Sequence, residues 1–264
     1  GVDTSKRLND LITVSKLVPL FAFICVGIFF VNGSNFTPVF LNDEYTPGSF
    51  AQAAVLLFFA YTGFEAIAVA AEDMDNPKKN LPRAIITVMV SVTVLYLLIL
   101  GVCIGAMGPE LASSQAPVQD AFYKAIGPVG MYFVLAGTLL SMGGINFAQA
   151  FMAPRIATAL SEDGMLPAVL SKRDKKNIPY VAAITTAVLS LLLAWSGSFT
   201  MLAAISAVSR FTQYLPTCIA VIVFRKKWAH KERPYKIPFG ITIPLIAVVV
   251  SLWMLFQATA AQLT

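Results

Sequence analysis

Charge is scarce in this sequence. Of 264 residues only 12% are Asp, Glu, Lys or Arg, about half the ~25% of an ordinary soluble domain. This excludes a disordered chain, which combines high charge with low hydrophobicity, and most soluble enzymes. Cysteine is scarce too. Cys25, Cys103 and Cys218 all sit inside apolar runs. They have neither the pairing of a disulfide framework nor the spacing of metal ligands, and read as small buried hydrophobes. The single histidine, His230, falls in a basic polar stretch and reads as a solvated residue. There is no His-Glu-x-x-His, no pair of aspartates in an apolar run and no serine with a base at hand, so the sequence offers no basis for an enzyme. No low-complexity tract or short repeat is present. What remains is hydrophobicity: 57% of residues are apolar and the mean hydropathy is +0.74.

Each helix that crosses a bilayer needs about 20 mainly apolar residues. Seven segments meet that need, at 11–31, 50–71, 84–106, 128–154, 180–197, 199–224 and 239–260. They predict an all-α membrane protein with one transmembrane domain over 1–264. Turn-forming pairs such as Asn32-Gly33, Pro47-Gly48, Asn76-Pro77, Gly108-Pro109 and Arg233-Pro234 separate them. Lysine and arginine in the loops set the orientation. The segments before span one and after spans two, four and six hold 16 of the 19, whereas the opposite loops hold only Lys124. The expectation is a multi-pass protein of the cell membrane with its N-terminus in the cytoplasm and its C-terminus outside. That topology, and a seventh span without lysine, argue against a receptor or a retinal protein. The basic connectors read as topology signals rather than nucleic-acid patches.

Span two contains an interruption. Phe58-Phe59-Ala60-Tyr61-Thr62-Gly63-Phe64-Glu65-Ala66 places a Thr-Gly step and then a carboxylate at membrane depth. Glycine weakens a helix interior by roughly 1 kcal/mol, and an ionisable residue in the bilayer marks a functional site by default. Together they predict a discontinuous helix whose halves meet at Thr62-Gly63, with main-chain oxygens able to receive a cation or an ammonium group. Glu65 would stand in the first turn of the second half, where the helix dipole favours it. The same residues also fit a close-packing glycine with Glu65 turned to a polar neighbour.

The stretch that follows, Ala71-Glu72-Asp73-Met74-Asp75-Asn76-Pro77-Lys78-Lys79-Asn80-Leu81-Pro82-Arg83-Ala84-Ile85, resembles a motif of the amino acid–polyamine–organocation (APC) family of transporters at its sixth helix and the loop after it. Arg155-Ile156-Ala157-Thr158-Ala159-Leu160-Ser161-Glu162-Asp163-Gly164-Met165-Leu166-Pro167 is similar to the family's signature at the end of its eighth helix, with Glu162 where a basic residue is commoner. Arg233-Pro234-Tyr235-Lys236-Ile237-Pro238-Phe239-Gly240 looks like the start of its eleventh. The three stand in the family's order and cover nearly the whole chain. The resemblance implies that the seven spans match family helices five to eleven, so that the chain holds part of a 5+5 inverted-repeat fold with a complete second repeat at 50–224. The family's first four helices and its twelfth would be missing. The first supplies the amides that bind a substrate carboxylate, so the chain is expected to need those helices from the same transporter as partners.

The implied function is a secondary amino acid transporter working by alternating access. Substrate-binding candidates are Phe59, as an aromatic lid, with Ala60, Tyr61, Thr62, Gly63 and Glu65. In proton-coupled members a lysine of the fifth helix occupies the place of a sodium ion, and Thr13-Val14-Ser15-Lys16-Leu17-Val18-Pro19 resembles that segment. An ammonium removed from water gives up its proton more readily, which makes Lys16 the candidate for proton coupling. A lysine that snorkels to the membrane surface is the alternative. Gly143 and Gly144 fall where family members often carry hydroxyls, so a bound sodium ion is not expected, and neither is any cofactor or other metal. Close helix packing explains the two glycines equally well. Asn146 is a possible hydrogen-bonding partner. Arg210, near the middle of span six, must face a cavity or a partner, and Glu65 is the partner expected. Protons, the bilayer and an amino acid are the partners implied; exchange of amino acids and a non-transporting membrane fragment or subunit are the alternatives to symport.

Overall fold

The computed structural model describes residues 2–37, 47–65, 67, 74–175, 177–197, 199–233 and 235–263. Among them the regular structure is helical throughout. The helices are α1 (Val2–Gly27), α2 (Pro47–Ala60), α3 (Pro77–Met107), α4 (Pro117–Ile126), α5 (Pro128–Glu162), α6 (Tyr180–Ser196), α7 (Phe199–Lys227) and α8 (Thr242–Leu263). Four stretches are long and apolar enough to cross a membrane: Thr13–Phe30, Pro77–Ser113, Pro128–Glu162 and Met201–Lys227. Three shorter apolar helices, Gly48–Ala60, Tyr180–Ser196 and Thr242–Gln257, overlap predicted spans two, five and seven, the first only over residues 50–60 of span two.

Two helices extend beyond the predicted spans. The stretch read as a connector before residue 84 is helical from Pro77 onwards. Proline at the first helical position loses nothing by lacking an N–H, and the carbonyl of Asn76 accepts from both Lys79 and Asn80 to start the helix. Predicted span four stops at Pro154, but α5 runs eight residues further, to Glu162, carrying Arg155 with it. There the Thr158 hydroxyl donates to the Pro154 carbonyl at 2.8 Å and the Ser161 hydroxyl to the Pro167 carbonyl at 2.8 Å, tying the helix end to the turn after it. A third element was not expected at all. Residues 107–127 contain α4, whose start is organised by Ser114: its hydroxyl donates to Asp120 at 2.6 Å and accepts from the Ala116 N–H at 3.2 Å.

The helices gather into two compact units. The first comprises Gly1–Phe40 and Val94–Trp195. Its buried core joins Phe23 and Ile24 of α1, Val102, Cys103 and Met107 of α3, Ala121 and Phe122 of α4, and Val134 of α5. Phe23 and Phe122 meet edge to face, their centroids 5.5 Å apart. The α1 end is sewn to the α3 end by Asn32 N–H and Asn35 Nδ2, which donate to the Gly105 carbonyl at 2.9 and 2.7 Å. The second unit comprises Leu41–Thr93 and Ser196–Thr264. In it α2 packs on α7 and α8, and α7 on α8. Small residues, Ala51, Ala203 and Ala207, are buried at these contacts, the means by which helices approach closely where lipid removes the hydrophobic drive. Elsewhere the helices present large apolar side chains outward, among them Trp195, Phe199 and Phe256, a surface suited to lipid rather than water.

Candidate functional site at the end of helix α2

α2 is continuous and apolar up to Ala60, and there regular α-helical bonding gives way. The N–H of Tyr61 donates to the Phe58 carbonyl at 3.0 Å and that of Thr62 to the Phe59 carbonyl at 3.1 Å, three residues back instead of four. The Thr62 hydroxyl adds a 2.8 Å bond to the same Phe59 carbonyl. Gly63 then takes φ +108°. A side chain there would meet nothing within 4 Å; it is the backbone angle that requires glycine. Phe64, Glu65 and Ile67 follow in 3-10 geometry. The rest of predicted span two, residues 66 and 68–71, lies outside the described residues, as do Glu72, Asp73 and Pro234 of the motifs.

Glu65 folds back over this turn. Its Oε2 accepts from the Gly63 N–H at 2.9 Å and from the Tyr214 hydroxyl at 2.9 Å, while Oε1 faces the guanidinium of Arg210 in an ion pair. The Glu65 side chain is only 17% exposed and that of Arg210 35%. A carboxylate is tolerated away from water when a counter-charge and hydrogen bonds meet it, and here all three come from groups fixed by the backbone turn or by α7. Arg210 and Tyr214 are four residues apart and so share a face of α7. Aromatic rings wall the group in. Phe58 stacks on the fully buried Phe211 at 4.6 Å and meets Tyr214 edge to face at 5.9 Å. Phe64 lies 5.8 Å from Tyr214, and Phe59 meets Phe199 edge to face at 6.1 Å.

The structure thus brings Phe59, Thr62, Gly63, Glu65 and Arg210 together in the second unit, with Ala60 and Tyr61 in the turn itself. Tyr214, Phe58 and Phe211 were not singled out from the sequence. The i, i+4 spacing from Arg210 was the signal that could have found Tyr214. Lys16 belongs to the first unit, where it lines a cavity of about 170 Å³ with Pro19 and Leu20 of α1 and Val134, Gly137, Thr138, Ser141 and Met142 of α5. Gly143, Gly144 and Asn146 lie just beyond this lining along α5. Asn146 and Gly143 are exposed and Gly144 is half-buried.

Comparison with known proteins gives this geometry a context. The model of the amino acid permease family matches residues 1–263. The chain is 34% identical over 268 residues to the uncharacterized transporter Rv1979c of Mycobacterium tuberculosis, a match covering 93% of this chain and 55% of that one. It is 30% identical over 259 residues to the branched-chain amino acid permease BcaP of Bacillus subtilis, covering 97% and 55%, and 28% identical over 259 residues to a methylthioribose transporter of the same organism, with the same coverage. The chain therefore spans about half the length of these relatives. A family match over almost every residue agrees with three motifs in the family's order, and the chain belongs to the amino acid permease family, within the APC transporters.

Proposed function

We propose that the chain is part of a secondary amino acid transporter that works by alternating access and takes up its substrate together with protons. The observation that carries this reading is the end of α2 at Ala60, with the carboxylate of Glu65 held to Arg210 and Tyr214 just beyond it. A helix that stops at membrane depth beside a charged pair is how transporters of this architecture receive a charged solute. In this reading the four long apolar helices and the three shorter ones all cross the cell membrane, with the N-terminus in the cytoplasm and the C-terminus outside. Residues 50–224 form the second of two inverted repeats, and the helices of the first come from the same transporter. The turn from Ala60 to Gly63 receives the ammonium end of the substrate, Phe59 covers it, and Lys16 carries the proton. Gly143, Gly144 and Asn146 line the pathway on α5.

The relatives support the substrate class by name, since one is a branched-chain amino acid permease. A second reading, transport of a different polar solute, draws on the relative named as a methylthioribose transporter. The test is uptake of radiolabelled leucine and of methylthioribose into proteoliposomes under an inward proton gradient. It is run with the chain alone and with a segment supplying the family's first four helices. Leucine uptake that needs both pieces and follows the gradient is expected. In Lys16→Met, gradient-driven uptake should vanish while leucine exchange persists. Gradient-driven uptake unchanged in Lys16→Met contradicts proton coupling through that residue.

A further inference from the structure

The place where α3 begins and α7 ends carries more positive charge than the fold uses. α3 holds Lys78, Lys79 and Arg83 in its first two turns and has no acidic residue in the first. Cations there oppose the helix dipole, whose N-terminal end is itself positive. α7 closes on Arg225, Lys226 and Lys227, and Lys231, Arg233 and Lys236 follow. Two of these serve the fold: Arg225 donates to the Ile237 carbonyl at 3.2 Å and Arg233 to the Trp228 carbonyl at 3.1 Å. None of them forms an ion pair among the described residues.

Two adjoining cavities open among these groups, both within the second unit. One, of about 560 Å³, is bounded by Lys78, His230, Lys231, Arg233 and Lys236, with Glu232 as its single carboxylate. The other, of about 290 Å³, shares Lys78 and adds Lys79 and Arg83, but its remaining wall is Pro82, Ile86 and Tyr235. A cationic basin is thus joined, at Lys78, to a cleft with an apolar side. Beside the basin Trp228 is half-exposed, stacked on Phe224 at 4.7 Å, with the Lys231 ammonium 5.2 Å from its ring. Half-exposed Trp at the end of a long apolar helix is where the membrane meets water.

We infer that this double cavity binds an anionic phospholipid, its phosphodiester in the cationic basin and the first part of an acyl chain along Pro82 and Ile86. Clustered Lys and Arg beside a membrane helix attract anionic headgroups, and an anion at the α3 N-terminus relieves the opposition between its lysines and the helix dipole. The apolar cleft is what favours a lipid over free phosphate, which has no use for Ile86. The inference does not depend on what the protein transports.

Native mass spectrometry of the full chain in detergent, equilibrated with equal amounts of phosphatidylglycerol and phosphatidylcholine, tests it. Phosphatidylglycerol should be retained preferentially. The pair Lys78→Gln/Lys236→Gln should cut that retention about thirtyfold, and Lys78→Arg/Lys236→Arg, which keeps both charges, should restore it. The matched pair Lys172→Gln/Lys175→Gln, which lines neither cavity, should leave it unchanged, and Ile86→Trp, which fills the apolar cleft, should lower it. Equal retention of the two lipids would overturn the inference, as would equal losses in the two glutamine pairs. Displacement by inorganic phosphate with no effect of Ile86→Trp would also overturn it, by showing a site for free phosphate.

Discussion

Tyr214 donates its phenolic hydrogen to Oε2 of Glu65 at 2.9 Å, across 149 residues of chain, and so fastens α7 to the point where α2 stops. The hydroxyl bonds a charged acceptor that is largely shielded from water, a class of bond that contributes about 1.5–3 kcal/mol. Tyr214→Phe keeps the ring against Phe58 and Phe64 and removes only this bond. The expected outcome is a protein that folds but melts earlier in detergent by that order of stability. Tyr214→Ala, which also empties the ring's place, should cost clearly more. Equal melting of wild type and Tyr214→Phe would show that the bond contributes nothing.

Glu65 and Arg210 should behave as a unit. Removing either leaves the other's charge unpaired in a poorly hydrated place, which is costly. A double-mutant cycle of Glu65→Gln and Arg210→Gln, read by thermal unfolding, is expected to show a coupling of about 0.5–3 kcal/mol, the range for residues in contact. The exchanged pair Glu65→Arg/Arg210→Glu should recover part of what each single change loses. Simple additivity would mean the pair acts as two independent charges.

Gly63 is expected to resist substitution for a conformational reason. Its φ of +108° leaves a β-carbon free of clashes, so Gly63→Ala isolates backbone strain, about 1–3 kcal/mol. Unfolding measurements should show a loss of that size. No loss would mean that the chain passes residue 63 in an ordinary helical conformation.

Gly137 tests the opposite effect. A β-carbon there would collide with the ring of Pro19, where α5 lies on α1. Proline cannot swing aside, so the helices themselves must part. Gly137→Ala should destabilise by about 1–3 kcal/mol, the usual penalty of overpacking, and should distort the Lys16 cavity that both helices line. Gly143→Ala, where a β-carbon meets nothing within 4 Å, is the control and should be near neutral.

Much of this arrangement was legible in the sequence because membrane helices must satisfy their own polar groups. Thr62, Gly63 and Glu65 break an apolar run in a way that lipid does not tolerate without a reason, and Arg210 in span six needed a partner for the same cause. Tyr214 was harder to read, since a tyrosine on an apolar helix costs little, and only its i, i+4 spacing from Arg210 marks it. Helix α4 was not legible. Its amphipathic ten residues sit between turn-forming pairs, and only the bonds of Ser114 to Asp120 and Ala116 mark its start. The extension of α5 beyond Pro154 was legible only through the motif at residues 155–167, which resembles a helix end; the Thr158 and Ser161 hydroxyls bind carbonyls around that end.

The central claim is that the turn between Ala60 and Glu65 faces a path for solute, and thiol accessibility at that turn tests it most directly. Cys25, Cys103 and Cys218 are first replaced by alanine, and Thr62→Cys is introduced in the chain assembled with the segment bearing the family's first four helices. A water-soluble, membrane-impermeant thiol reagent should label the new cysteine, and leucine should slow that labelling. A cysteine that the reagent never reaches, or one labelled at the same rate whatever solute is added, would contradict the account.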